Sequence, residues 1–309
     1  MRRPTRAVVP AALVSALLLL LSGRGLLAQL PALTPTHLNP MIEKLAAGEA
    51  VFGPIITDLS MTNARTLART GADYLWIDME HSPMNMEAIA TFVAHSNDRA
   101  HTAKRGDAQP KMAIVARFAP YASENAAWIA KQALDMGLMG IVFNTVNTKQ
   151  EAINAVQQMR YPAQRNDPAT QKGPVGLRGY SPTGALWNWG IAAPEYMRRA
   201  DLWPLNPNGD LLSIFLIETP EAVKNIDEIA SVPGVGVINA AAGGDLATSM
   251  GISGQLTAPE VEAHRQTILK ACLAHHVVCG ILASGKAQID QRLKEGWKML
   301  TTPSGTAAQ

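Results

Sequence analysis

Short apolar runs alternate with amphipathic stretches along most of the chain. Val51 to Leu59, Tyr74 to Ile77, Met112 to Arg117, Gly140 to Thr145, Leu211 to Ile217, Gly236 to Ala240 and Val277 to Leu282 are largely apolar, the pattern of strands covered on both faces. Between them, helical periodicity covers Asn63 to Thr70, Met86 to Ser96, Ser123 to Met136, Lys149 to Met159, Pro220 to Ala230, Pro259 to His275 and Lys286 to Glu295. A further helix opens at Asn39-Pro40 and stops at Gly48. Strands alternating with helices predict parallel βα units. Seven strands are clear, and Gly173 to Gly179 is the candidate for an eighth. The predicted fold is an α/β (β/α)8 TIM barrel, with a doubly wound sheet as the structural alternative.

Two stretches break the rhythm. Asn97 to Pro110 is polar and reads as a surface loop. Tyr161 to Gly209 is irregular and rich in Pro, Gly, Asn and Trp, with a helical piece near Pro194 to Ala200. Its tryptophans, Trp187, Trp189 and Trp203, suit a lid on the barrel rim, a subunit contact or plain core packing.

The N-terminus reads differently. Arg2, Arg3 and Arg6 precede the apolar Val8 to Leu21, and Leu26-Leu27-Ala28 supplies a small-residue cleavage site. This predicts a secretory signal peptide over 1–28, a barrel domain over 29–300 and a flexible tail over 301–309, with an uncleaved anchor as the alternative. The mature protein is then expected in the periplasm or outside the cell, free of the membrane. An oxidising compartment permits a Cys272–Cys279 disulfide; two buried free thiols are the other reading. The chain has 309 residues, 47% of them hydrophobic, enough for one large core. A net charge of +2 gives no sign of a nucleic-acid surface.

Candidate chemistry sits where strands end. Asp78, Glu80 and His81 follow one apolar run, Arg117 another, Glu218 a third and Asp245 a fourth. A barrel brings all these positions to one rim. Carboxylates from separate strands can hold a hard divalent cation. An arginine can neutralise developing negative charge, and a histidine oriented by an aspartate can move protons near neutrality. Gly243 and Gly244 allow close backbone approach to a carboxylate. Individually each has a plainer reading: Glu218 and Asp245 as helix caps, Arg117 as a structural ion pair.

On these residues the chain resembles the HpcH/HpaI aldolase family, the class II pyruvate aldolases that include 2-dehydro-3-deoxyglucarate aldolase. The similarity runs from about Asn39 to Glu295 through NPMIEKLAAGEAVFGPIIT, YLWIDMEHSP, VARFAP, IETPEAVKNIDEIASVPGV and AAGGDLATSMG. The resemblance implies a (β/α)8 barrel whose last helix is exchanged between subunits, in homo-trimers or homo-hexamers. It implies that Glu218 and Asp245 bind Mg2+, Mn2+ or Co2+, and that Arg117 stabilises an enolate. It assigns proton transfer to His81 with Asp78, and the pyruvate carboxylate to the Gly243-Gly244-Asp245 backbone. Arg178 in GLRGY would line the site. The implied reaction is reversible cleavage of a 2-keto-4-hydroxy acid into pyruvate and an aldehyde. The alternatives are decarboxylation of oxaloacetate-like acids and a non-catalytic, exported keto-acid-binding protein.

The chain departs from the family pattern in places. Leu216 stands where a Gln is usual, Ala242-Gly243-Gly244-Asp245-Leu246 replaces G-P-x-D-L, and GWKMLTTPSG departs from the family's last strand.

Overall fold

The structure, a computed structural model, describes residues 34–241 and 243–307. The signal-peptide reading over 1–28 lies outside the described residues, as does Ala242. Nine strands form one sheet: β1 (Val51–Gly53), β2 (Ile55–Ile56), β3 (Tyr74–Met79), β4 (Ala113–Tyr121), β5 (Gly140–Asn144), β6 (Leu212–Leu216), β7 (Val237–Asn239), β8 (Val278–Leu282) and β9 (Met299–Thr301). All pairings are parallel, in the order β1-β9-β8-β7-β6-β5-β4-β3-β2. β1 and β2 are one strand interrupted at Pro54, which has no N–H to give the ladder. The first half pairs with β9 and the second with β3, so the sheet closes into the predicted barrel.

The eighth barrel strand is β9, not Gly173 to Gly179. β9 has three residues followed by Thr302-Pro303, too short an apolar run to stand out. The Gly173–Gly179 stretch instead lies against the end of a helix, where Leu177 and Arg178 donate their N–H groups to the carbonyls of Gln157 and Arg160. Residues 301–307 of the expected tail pack on the barrel. Thr301 belongs to β9, Thr302 N–H donates to Gly53 O, and Gly305, at φ 72°, packs against Pro54 and Ala72.

Around the barrel run α1 (Pro40–Ala46), α2 (Met61–Leu67), α3 (Met86–Ser96), α4 (Arg99–Arg105), α5 (Ala127–Asp135), α6 (Lys149–Met159), α7 (Thr183–Trp189), α8 (Ala193–Arg199), α9 (Pro220–Lys224), α10 (Ile226–Ala230), α11 (Gly244–Ser249), α12 (Pro259–His275) and α13 (Lys286–Glu295). Local chemistry sets several boundaries. Asn39 caps α1 before Pro40, Thr148 and Glu151 form a capping box on α6, and Thr219 caps α9 before Pro220. The expected surface loop over Asn97 to Pro110 contains α4, started by Asp98 and stopped by Gly106 at φ 78°. The single helix expected over Pro220 to Ala230 divides at Asn225.

The Trp-rich insertion is more ordered than its composition suggested, and it covers the N-terminal end of the barrel rather than the rim. Trp189 Nε1 donates to Gly137 O and Asn188 Nδ2 to Met136 O, both just ahead of β5. Arg160, fully buried, anchors it: the guanidinium grips Asp201 at 2.6 and 2.9 Å and donates to the carbonyls of Thr170, Lys172 and Pro174. The lid reading is therefore overturned. Trp189 is packed in the core, while Trp187 is 78% exposed.

The cysteine question resolves in favour of a disulfide. Cys272 on α12 and Cys279 on β8 are bonded, with Cα atoms 5.7 Å apart and both residues buried. On the other face of α12, Arg292 from α13 holds Glu262 through contacts of 2.6 and 2.7 Å. These hydrogen bonds outweigh the opposing effect of partial burial and bring the Glu262 carboxyl down to about 2.

Two consequences are measurable. The disulfide closes a loop with a sequence separation of 7, and a loop that short contributes about 2 kcal/mol in the chain-entropy description. Cys272→Ala/Cys279→Ala is expected to lower Tm by roughly 5 °C, and dithiothreitol should reproduce the shift in the wild type only. The Arg292–Glu262 pair stabilises fully above the ordinary glutamate range near 4.5 and loses that contribution as pH falls towards about 2. Arg292→Met should therefore lower the urea midpoint more at pH 6 than at pH 3. An equal loss at both would show that the pair carries no linkage.

Candidate active site

β3 and β4 bring the first group together because Asp78, near the C-terminal end of β3, and Arg117, midway along β4 where its regular ladder to β5 breaks, are direct register partners. Arg117 Nε and Nη2 donate to Asp78 Oδ1 and Oδ2 at 3.1 and 2.6 Å, a bidentate pair. Its Nη1 reaches Glu80 Oε2 at 2.8 Å. His81 Nδ1 lies 3.1 Å from Asp78 Oδ2 and 3.0 Å from Arg117 Nη2. The ring can donate to the carboxylate or accept from the guanidinium through that atom, according to its tautomer. Nε2 makes no hydrogen bond among the described residues, and the side chain is 60% exposed. The turn is tied locally by Glu80 N–H donating to Asp78 Oδ1 at 3.0 Å and Ser82 Oγ donating to Asp78 O.

Electrostatics separate the two carboxyls of this group. Burial pushes Asp78 up, but hydrogen bonds and charge from Arg117, with help from His81 and the Glu80 N–H, hold it below the usual range. For Glu80 burial prevails over Arg117 and His81, and the charges of Asp78 and Asp245 add to the upward shift. The ligand atoms of Asp78, Glu80 and His81 lie within 4.8 Å of one another, close enough to share a metal ion. The Arg117 guanidinium already bonds to both carboxylates, however, and supplies their positive charge.

Glu218 is the contrasting case. It follows β6 and is 3% exposed. Thr219, not Glu218, caps α9, so the capping reading of Glu218 is overturned. Its Oε2 accepts from Thr145 N–H at 2.9 Å and Thr145 Oγ1 at 2.8 Å. Ser249 Oγ donates to its backbone carbonyl at 3.1 Å. Burial pushes the carboxyl up to about 7; the Thr145 hydrogen bonds oppose this and the charges of Asp245 and Glu80 reinforce it. Among the described residues no Lys, Arg or His is ion-paired with Glu218. A buried carboxylate that feels two other carboxylates and has no ion-paired cation among the described residues has the oxygen chemistry that suits a hard divalent ion.

Asp245 lies in the first turn of α11 and is exposed. Gly243 precedes the helix at φ 79°, a conformation that disfavours side chains. Space is equally restrictive there: a Cβ at Gly243 would lie 2.3 Å from Arg265 Nη2. Leu256 packs 3.6 Å from the equivalent point of Gly244. Arg265 and Leu256 also line a cavity of about 420 Å3 at the C-terminal mouth, together with Ile55, Leu282 and Thr301. A larger cavity of about 900 Å3 lies between α4 and α7, away from these groups.

Asp78, His81, Arg117, Glu218 and the Gly243–Asp245 loop thus share the C-terminal end of the barrel. Arg178 does not join them. It is buried against α5 and the insertion, with Asp135 at 2.6 Å, Tyr196 Oη at 2.8 Å and its guanidinium 4.4 Å from the Tyr161 ring centre. Sequence reasoning passed over Thr145 and left Glu80 without a role. The same rule that found the others, a polar residue directly after an apolar strand, also points to Thr145.

Residues 58–305 match the family described as HpcH/HpaI aldolase/citrate lyase. The chain is similar to a hydroxypyruvate/pyruvate aldolase of Delftia acidovorans, 31% identical over 82% of this chain and 80% of that one. It is also similar to a 5-keto-4-deoxy-D-glucarate aldolase of Citrobacter koseri, 29% identical over 82% of each. Among solved structures, an HpcH/HpaI aldolase/citrate lyase family protein of Burkholderia cenocepacia superposes with a TM-score of 0.69 at 26% identity, covering 85% of this chain and 92% of that one. The chain belongs to the HpcH/HpaI aldolase/citrate lyase family and is an enzyme of the aldolase type.

Proposed function

We propose that this aldolase cleaves and forms the C3–C4 bond of 2-keto-4-hydroxy acids through a pyruvate enolate, with Mg2+, Mn2+ or Co2+ held by Glu218 and Asp245. The observation that carries the reading is the buried, uncompensated Glu218 beside Asp245 and Glu80. A bound divalent cation supplies the missing positive charge and polarises the 2-keto acid. Arg117, held by Asp78 and Glu80, presents a fixed guanidinium to negative charge developing on the keto oxygen. In the cleavage direction His81 takes the 4-hydroxyl proton at Nε2. The C3–C4 bond breaks, the aldehyde leaves, and its electron pair remains on the enolate. His81 then gives that proton from Nε2 to C3, which yields pyruvate and restores the free ring. Asp78 orients the ring through Nδ1. The backbone at Gly243 and Gly244 receives the pyruvate carboxylate.

We propose export as well. The basic and apolar leader up to Ala28 is supported by the Cys272–Cys279 disulfide, since such bonds persist in oxidising compartments. Leu177, Tyr180 and Trp187 on the insertion are exposed apolar groups that support assembly into a homo-trimer or homo-hexamer.

Proton NMR of the pyruvate methyl group in D2O tests the chemistry. Exchange should require Mn2+ or Mg2+ and stop on chelation. Glu218→Gln should lose both Mn2+ binding and exchange. His81→Asn should bind Mn2+ normally yet exchange roughly 100-fold or more slowly. Exchange that survives chelation would sink the metal-dependent reading. A second experiment separates the alternatives: pyruvate release from 2-keto-4-hydroxy acids is expected, whereas oxaloacetate decarboxylation without any aldehyde turnover would reassign the reaction.

A further inference from the structure

We infer that Thr145 is the positioning residue that presents Glu218 to its cation, holding Oε2 with two donors and leaving Oε1 as the oxygen offered to the ion. This rests on the reading of Glu218 as a cation ligand. Thr145 directly follows β5 and sits at φ 48°, a left-handed conformation that a β-branched residue rarely adopts. That conformation turns its N–H and its hydroxyl towards the same acceptor, at 2.9 and 2.8 Å. Two donors engage the lone pairs of Oε2, while Oε1 makes no hydrogen bond among the described residues.

The turn that carries Thr145 is pinned on both sides. Asn144 Nδ2 donates to Phe118 O, and Asn144 O accepts from Ala122 N–H at 2.9 Å, tying the preceding residue to β4. Val146 N–H donates to Leu216 O at 3.1 Å, tying the following residue to β6. The threonine hydroxyl has little rotamer freedom because its Cβ is branched. Both donors are therefore in place before any ion arrives, and Glu218 need not reorganise to bind one. Backbone strain held by surrounding contacts at the exit of a catalytic strand is a recurrent sign of such preorganisation. A threonine that merely satisfied a buried carboxylate would affect folding and leave cation affinity untouched, so the two roles are separable.

The test uses Mn2+ alone as probe, read by electron paramagnetic resonance of the free ion, alongside thermal unfolding. Thr145→Val keeps shape and branching and deletes only the hydroxyl; Thr145→Ser keeps the donor. The valine variant is expected to weaken Mn2+ binding roughly 10- to 100-fold, with the serine variant close to wild type. Should Thr145→Val fail to fold, Thr145→Gly, which suits the left-handed backbone, is measured in its place with the same weakening expected. Wild-type Mn2+ affinity in the valine or glycine variant, when Glu218→Gln has lost binding, overturns the assignment of Thr145. Wild-type affinity in Glu218→Gln would instead overturn the cation reading itself.

Discussion

The charge pair between Asp78 and Arg117 governs the rest of the site. Both side chains are buried on adjacent strands, so each would be costly without the other. Their bidentate contact, extended to Glu80 and His81, turns that cost into a fixed frame. It also decides where a metal ion can go. Asp78, Glu80, Glu218 and Asp245 bring four carboxylates to one mouth, and Arg117 bonds to the first two. The unanswered negative charge is left on the side of β6 and α11. On the proposed reading, a cation placed there would meet Glu218, whose carboxyl burial and the charges of Asp245 and Glu80 push up, instead of competing with a guanidinium already in place.

The barrel divides its labour between its two ends. At the N-terminal end the insertion is clamped by Arg160 and Asp201 and by the indole of Trp189, all satisfied and buried. At the C-terminal end Thr145 at φ 48° and Ala241 at φ 47°, left-handed without being glycine, mark the exits of β5 and β7; His276 at φ 56°, which ends α12 ahead of β8, is the other such residue among those described. Such conformations persist only where neighbouring structure enforces them. The packed barrel beneath supplies that enforcement, with Tyr74 Oη and Thr301 Oγ1 joined at 2.9 Å across its closing seam.

What could be read from the chain was what local order encodes. Asp78, Arg117 and Glu218 were legible because each ends an apolar run, and a parallel barrel converts that position into a shared rim. Arg178 shows the limit of the same logic. GLRGY resembles a family segment, but the rule for strand ends does not apply to a stretch that is no strand, and the chain carries it back along α6 to Asp135. β9 escaped because three residues hold too little pattern. The disulfide stayed open because spacing alone does not say that the α12–β8 turn brings Cys272 and Cys279 within bonding distance. The tryptophans signalled burial or contact, yet nothing in their composition distinguished one end of the barrel from the other.

The donors that Glu218 receives come from outside its own strand. The Leu216 side chain is buried, so it offers no polar group to the acid two residues on. A buried carboxylate still requires donors, because leaving its oxygens unmade costs more than any packing gain at one leucine. The donors come from the neighbouring strand. Thr145 lies at the exit of β5, and Val146 N–H bonds to the carbonyl of Leu216 itself. β6 is thus directly tied to the segment that supplies donors to Glu218. Parallel pairing makes this simple: adjacent strand ends reach the same height, so a residue leaving one strand can donate to a carboxylate leaving the next.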